Sequence, residues 1–594
     1  MHTIALRRRV LLMRRWARLA TRLRTWVRGS EVAVVLLAVA VGVGVGLLAW
    51  GMGAAAHGLQ RLLFGLDPHL RLSAATRLPP WLLLAVPALG GLALAGLNRG
   101  IARWRPKPPI DPIEANALHG GRLSLTDGAV VGAQTVLSNG VGASVGLEAG
   151  YTQVGGGLAS RLGAAFSLRR GDLRILVGAG TAGAIGAAFD APLTGAFYAF
   201  ELVIGTYSIA ALFPVVGSAV TAVLVARALQ AGTYVMEMAA PGPVDPGAYP
   251  LALLIGALSG LSAIALMRGV GLCEGLLARA IPSPAWRLGL GGLAVGALAL
   301  ISPVALSAGH GALHIAFITE APAWPVLVLL GIKALASIVS LGSGFRGGLF
   351  FASLLIGALG GKLFAGLLAI LLPPGPDPLL MSVVGMSAFG AAVIGAPLAM
   401  TFLALETTGA LSVAGPVLAA VAVSGLIVRR LFGYSFATWR FHLRGEAIRS
   451  AHDIGWINEL TAGRLMKQEV PVAEAGIGLE AFRQRFPLGS VTRVVMLDED
   501  QRYAGLVSVP EAHAAPLEGG SLAALLHLPD RVLLPTMNAR VAMAVFEAAE
   551  AEALAVVDGP ARRVIGLLTE AHLLRRYGEE MEKRRREESG IASG

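Results

Sequence analysis

The chain has 594 residues, 55% of them hydrophobic and only 14% charged, with a mean hydropathy of +0.68. This composition excludes an ordinary soluble protein and indicates a polytopic membrane protein with a smaller soluble part. One cysteine, Cys273, excludes an intrachain disulfide framework and a cysteine metal cluster, and the placement of the +12 net charge argues against nucleic acid as its target.

That charge begins at the start of the chain. Residues 1–30 carry nine arginines: Arg7, Arg8, Arg9, Arg14, Arg15, Arg18, Arg22, Arg24 and Arg28. The apolar run Glu31–Gly53 follows at once and is long enough to span a bilayer. A basic segment ahead of a first span is expected to be cytoplasmic and to meet lipid headgroups. The run starts too late and is too long for a cleaved signal peptide.

From Trp81 to about Arg430 apolar stretches succeed one another. Clear spans are expected at Trp81–Leu97, Ala210–Leu229, Leu251–Val270, Leu288–Leu306, Trp324–Val339 and Val417–Val428. Shorter stretches broken by Gly or Pro lie at Ala129–Val145, Ile175–Ala188, Gly348–Gly357 and Ser382–Ala396. Interrupted apolar segments in corresponding places point to a transport site built from half-helices. Glycine, at 77 residues, is dense enough for tightly packed or broken helices.

Within Gly142–Gly157 stands one carboxylate, Glu148, with no basic residue within ten positions on either side. An intramembrane acid is by default a functional candidate because charge in the bilayer is costly. Gly146 and Gly150 allow close backbone approach, and a helix starting just after Gly146 would aim free N–H groups at an anion. An acid on an interhelical loop is the competing reading of this stretch.

A repeat supports transport. Ala191-Pro192-Leu193, Phe197, Ala199 and Glu201 recur 205 residues later as Ala396-Pro397-Leu398, Phe402, Ala404 and Glu406. Gly146-Leu147 and Gly155 recur 202 residues later as Gly348-Leu349 and Gly357. Two related halves building a site at their interface are expected. His310 and His314, four apart, have the spacing of a zinc-protease pair. Gly311 stands where the general-base glutamate would be needed, so no metal site is expected.

Beyond Arg440 the composition turns soluble. Val494–Asp498 leads to Gly505–Ser508, and Ala555–Asp558 leads to Gly566–Thr569. Each reads as strand, polar turn, strand, then a helix start capped by Ser or Thr. The mixed-charge run Glu579–Glu588 reads as a solvated end.

The apolar part resembles the CLC family of chloride channels and proton-coupled chloride transporters. Gly146-Leu147-Glu148-Ala149-Gly150 stands where that family has Gly-Arg/Lys-Glu-Gly-Pro. Gly348-Leu349-Phe350-Phe351-Ala352 stands at its Gly-x-Phe-x-Pro, and Phe189-Asp190-Ala191-Pro192-Leu193 with Glu201 at its Phe-Asn-Ala-Pro-Leu…Glu stretch. The resemblance implies an inverted repeat of tilted helices, a homodimer and one ion path per subunit. It makes Glu148 the gating glutamate, whose carboxylate occupies the anion path and clears it when protonated. The tail resembles a CBS-domain pair. Such pairs often bind adenine nucleotide through an Asp three residues beyond the Ser/Thr, where this chain has Glu511 and His572. That argues against a nucleotide cofactor and for a tail that stabilises a dimer.

The departures are informative. The family's anion-binding serine falls on Pro109 and its tyrosine on Ala437, with Tyr434 three residues away. The inward-facing proton acceptor of coupled members falls on Leu202. The remaining anion site is expected to be mostly backbone: Pro109, Ile110, Asp111, Gly146, Leu147, Ala149, Gly150, Gly348, Leu349, Phe350, Phe351 and Ala437, supported by half-helix dipoles. Lys333, Arg346 and Lys362 are expected to attract anions at the mouths or to pair and snorkel.

The expected architecture is an all-α polytopic membrane domain with an inverted internal repeat over 31–445, after a basic segment 1–30. A small cytoplasmic α/β CBS pair is expected over 446–594. The expected function is an anion channel or weakly coupled transporter of the cell membrane, gated by Glu148, passing chloride, nitrate and bicarbonate. A proton-coupled exchanger is the alternative. A divalent-cation transporter would need clustered acids, and the apolar region offers scattered ones such as Glu148, Glu201 and Glu406. No enzyme activity and no metal are expected.

Overall fold

A computed structural model describes residues 24–76, 78–229, 241–319, 322–371, 373, 375–443, 460–516 and 522–588. The arginines at 7–22 and the junction at 444–459 lie outside the described residues. The chain divides into two compact units, Met1–Asp453 and Ile454–Gly594.

The first unit is helical. Its helices are α1 (Glu31–Phe64), α2 (Pro80–Trp104), α3 (Pro112–Leu118), α4 (Leu125–Gly140), α5 (Glu148–Ala165) and α6 (Arg170–Phe189). After them come α7 (Pro192–Tyr198), α8 (Ile209–Leu229), α9 (Ala248–Ala280), α10 (Pro284–Ile301), α11 (His310–Ile318) and α12 (Ala323–Ser343). The last five are α13 (Phe350–Leu371), α14 (Pro378–Ile394), α15 (Pro397–Thr408), α16 (Ala414–Leu431) and α17 (Phe436–Leu443). Among the described residues, nine helical stretches are long and apolar enough to cross a bilayer.

Most expected stretches lie inside these helices, though Ala129–Val145 outruns α4, which ends at Gly140, and Ser382–Ala396 outruns α14, which ends at Ile394. Leu288–Leu306 is not one span: α10 stops at Ile301, and Ser302 opens a short 3-10 turn over Pro303–Ala305. The apolar segment starting at Gly348 is not short, because its helix continues to Leu371.

The sequence repeat becomes a two-fold relation, since each half makes on the other the contact that it receives. Gly146 N–H donates to Gly348 O (2.9 Å) and Gly348 N–H to Gly146 O (3.2 Å). The rings of Phe197 and Phe402, matched in the repeat, stack on each other at 4.3 Å. Reciprocal contact of this kind is what a two-fold axis between like parts requires. Asp190 and Gly395, equivalent in the repeat, both take left-handed backbone (φ 57° and 85°) ahead of their Ala-Pro. Asp tolerates that conformation and Gly adopts it freely.

Glycine density serves packing. A Cβ on Gly155 would lie 2.5 Å from Gly180 O, so α5 and α6 touch backbone to backbone; Gly357 and Gly385 do the same between α13 and α14, at 2.4 Å. Small residues at helix crossings are the usual device for close approach in a bilayer.

The second unit is α/β. β1 (Val472–Glu474) pairs parallel with β2 (Arg493–Leu497), which pairs antiparallel with β3 (Tyr503–Ser508). A second hairpin joins β4 (Ala553–Val557) and β5 (Val564–Thr569). Two motif-equivalent aspartates hold the two turns: Asp498 Oδ1 accepts from Arg502 N–H (2.7 Å) and Asp558 Oδ1 from Arg563 N–H (2.9 Å). Helices α18 (Val509–Ala514) and α19 (Glu570–Glu588) follow the hairpins. The register breaks at the same place in each, Met496/Leu497 and Val556/Val557, as duplicated units would show. Ser508 sits at the helix start, but its hydroxyl makes no cap bond there.

Candidate anion site

Glu148 is the first residue of α5, and its side chain is 6% exposed. The reciprocal Gly146–Gly348 pairing brings the loop before α5 against the loop before α13. The Glu148 carboxylate therefore reaches the start of α13. Its Oε1 accepts from Phe351 N–H at 3.2 Å, where the unpaired N–H groups of the first turn favour negative charge. Oε2 is buried and has no hydrogen-bond partner. A Cβ on Gly146 would lie 1.9 Å from Oε2, so a side chain there would evict the carboxylate. Gly150 works differently: it lies inside α5 against Thr135, and a Cβ would meet that hydroxyl at 2.2 Å.

A cavity of about 150 Å³ opens beside Glu148. Of the residues expected from the sequence, Pro109, Asp111, Glu148, Ala149, Leu202, Gly348, Leu349, Phe350 and Ala437 line it. Ile110, Gly146, Leu147, Gly150 and Phe351 are not on its wall. Ile110 is held as a scaffold, its carbonyl accepting from Gln153 Nε2 at 2.6 Å. Gly146 serves by pairing with Gly348, and Phe351 by its N–H.

Sequence reasoning missed Tyr198, Thr152, Gln153 and Arg440, which line the same cavity. Tyr198 stands one helical turn before Leu202, so the two share a face; that spacing was the available signal. The positions of the family's serine and tyrosine are occupied on this wall by Pro109 and Ala437. Tyr198 lines it from α7, and the Thr152 hydroxyl is committed to Glu148 O at 3.0 Å.

The cations separate into three kinds. Arg346 lines the cavity. Lys333 is not at a mouth: it is fully buried, and its Nζ donates to Ser307 O at 2.6 Å. Lys362 closes the end of α11 by donating to the carbonyls of Ala316 and Thr319. Of the histidine pair, His310 opens α11 and stacks on the Phe351 ring at 3.7 Å.

Two further cavities flank the site. One, of about 220 Å³, is lined by Leu147, Tyr151, Phe351 and His310 and shares no lining residue with the first. The other, of about 180 Å³, is lined by Glu201, Tyr434 and Thr438, and Leu202 lines both it and the Glu148 cavity. Tyr434 thus faces the Glu201 cavity, and its hydroxyl meets His442 Nδ1 at 3.2 Å.

Glu201 and Glu406 are caps. Glu201 accepts from the N–H groups of Leu398 (2.9 Å) and Ala399 (3.0 Å) at the start of α15. Glu406 accepts from Leu193 (2.7 Å) and Thr194 (2.8 Å), and from the Thr194 hydroxyl (2.6 Å), at the start of α7. Each half caps the other.

Comparison with known proteins gives the same family from sequence and fold. The family model described as voltage gated chloride channel matches residues 109–429. The voltage-gated ClC-type chloride channel ClcB of Escherichia coli O81 (strain ED1a) is 31% identical over 383 residues, covering 63% of this chain and 90% of that protein. The crystal structure of a slow cyanobacterial Cl-/H+ antiporter superposes with a TM-score of 0.62 at 23% identity, over 69% of this chain and 97% of that one. A CLC-type fluoride/proton antiporter gives 0.56 at 22% identity, over 67% and 96%. A eukaryotic CLC transporter gives 0.59 at 18% identity, over 93% and 98%, a span that extends into the second unit. Members of this family are membrane channels and transporters for chloride and other anions, not enzymes. The chain belongs to the voltage-gated chloride channel family, as a multi-pass membrane protein.

Proposed function

We propose that the protein is an anion channel or weakly coupled anion transporter of the cell membrane, gated by protonation of Glu148, which passes chloride together with nitrate and bicarbonate. The position of the Glu148 carboxylate carries this reading. It rests where an anion would rest, on an N–H at the start of α13, yet only one of its oxygens is satisfied. Protonation removes its charge and hence its attraction to the helix terminus, and the vacated N–H can receive a passing anion.

Weak coupling is supported by Leu202. It forms part of the wall between the Glu148 and Glu201 cavities and cannot carry a proton. Glu201 is engaged as a cap. The reading includes a homodimer, cytoplasmic N- and C-terminal segments, and a tail that stabilises assembly without a tightly bound nucleotide. In support of the last, Glu511 meets His527 at 2.6 Å. The other position holds His572, whose Nδ1 meets Arg575 Nη2 at 3.1 Å.

The test is uptake by proteoliposomes with anion and proton followed together. Anion flux that rises on acidification without uphill proton movement is expected. A proton-coupled antiporter is the second reading. It is favoured by the cyanobacterial and fluoride antiporters among the similar folds, and by the cavity that reaches Glu201. Robust uphill proton movement abolished by Glu201→Gln would establish it.

A further inference from the structure

Among the described residues, Lys333 is the largest side chain shut completely away from solvent. Its Nζ donates to a neutral acceptor, Ser307 O, at 2.6 Å, and among the described residues it forms no ion pair. An ammonium enclosed in protein is costly unless a negative charge lies near it. A carbonyl dipole meets one of its three donors and leaves the charge unbalanced.

The place of this charge is fixed. Lys333, Ser337 and Ser340 fall at i, i+4 and i+7 of α12 and form one fully buried polar face. Ser340 Oγ accepts from Ser144 N–H at 2.9 Å, and Ser337 Oγ meets Ser144 Oγ at 3.0 Å, in the loop that leads into Glu148. At the Lys333 end, Nζ also lies 3.6 Å from where a Cβ on Gly309 would stand. Ser307 N–H donates in turn to Gly142 O at 3.0 Å, in the same loop before Glu148.

Ser307 and His310 line the cavity of about 220 Å³. Its wall also holds Leu147, which precedes Glu148, and Phe351, whose N–H receives the Glu148 carboxylate. The ammonium thus stands one residue behind the wall of a cavity that adjoins the gate. No donor need be aimed into the cavity, because a charge acts through distance where water is excluded. Asp190, the one acid on this wall, is already paired with Arg227 at 2.5 Å.

We propose that Lys333 supplies a fixed positive charge that draws one monovalent anion into this second cavity, where the anion becomes the counter-charge the lysine lacks. The bond to Ser307 holds the ammonium in place; the charge sets the affinity. The proposal rests on the reading of Glu148 as the gate of an anion path.

The experiment measures chloride flux into proteoliposomes over a range of chloride concentrations for the parent, Lys333→Gln, Lys333→Arg, Ser337→Ala and Glu148→Ala. Glutamine can still donate to Ser307 O but carries no charge. Lys333→Gln is expected to raise the half-saturating chloride concentration roughly tenfold, the scale of losing a unit charge several ångströms from the ion at protein-like dielectric. Maximal flux and the thermal unfolding midpoint should stay near the parental values. Lys333→Arg, which keeps the charge, and Ser337→Ala, on the same helix face, should keep the parental half-saturation. Calorimetric titration of the solubilised full chain with sodium chloride should show the same tenfold weakening in Lys333→Gln. Parental affinity in Lys333→Gln, or an equal loss in Ser337→Ala, overturns the proposal. So does a tenfold loss in Lys333→Arg at a parental unfolding midpoint, a result that stands even if Lys333→Gln fails to fold. If Glu148→Ala leaves flux unaltered, the gate reading fails, and calorimetry still decides whether Lys333 sets chloride affinity.

Discussion

At two of the places where the halves of the membrane unit meet, the same chemistry serves opposite ends. At one, Glu201 and Glu406 each place both carboxylate oxygens on backbone N–H groups of the other half's helix start. At the other, Gly146 and Gly348 pair, and Glu148 beside them places one oxygen on Phe351 N–H and leaves the second without a partner. A part-buried acid with a full set of donors is held, because leaving would abandon every bond at once. A buried acid with half a set loses little by leaving once it is neutral. The number of donors offered to each carboxylate therefore separates a structural cap from a gate.

The sharpest way to break this comparison is to remove the half-satisfied acid. Glu148→Ala and Glu148→Gln should raise anion flux at neutral pH by about tenfold or more, the scale set by freeing a path blocked by ~1.4 kcal/mol or more, and should flatten its pH dependence. The sign follows from charge: acid neutralises the carboxylate, so the parent conducts better as pH falls, and neither variant has a carboxylate left to titrate. Retention of the parental pH profile would put the gate elsewhere.

Removing a fully satisfied acid should do the reverse. Glu406→Ala and Glu201→Ala are each expected to cost about 1 kcal/mol by removing the caps of helix-start N–H groups, seen as a lower thermal unfolding midpoint in detergent. The surviving protein should keep the parental pH response. A flattened response in Glu201→Ala, without loss of stability, would show that this acid takes part in gating.

A subtler effect is expected at Ala437. Ala437→Tyr returns a hydroxyl and a ring to the cavity and should shift selectivity toward chloride by roughly fivefold, again about one net hydrogen bond. Strong chloride preference in the parent, unaffected by the substitution, would move the selective site away from α17.

The smallest effect is expected in the second unit. Titrating the full chain in detergent with ATP or AMP should give little heat, since the acid at position 511 is paired with His527 and position 572 is a histidine. Tight binding would make the tail a sensor.

Glu148, the related halves and the duplicated tail hairpins were all legible in the sequence. An isolated acid among glycines, a shared offset of 205 residues and a strand–turn–strand pattern are each local or periodic signals. Tertiary structure decided the partners. That Glu201 caps a helix beginning at Pro397, that Lys333 is buried on Ser307, and that Tyr198 and Arg440 share a cavity with Glu148 are contacts between distant segments. Helical spacing says which residues share a face, but packing decides what that face meets. In a bilayer, where apolar faces meet lipid and protein alike, hydropathy cannot distinguish a wall from a pore lining.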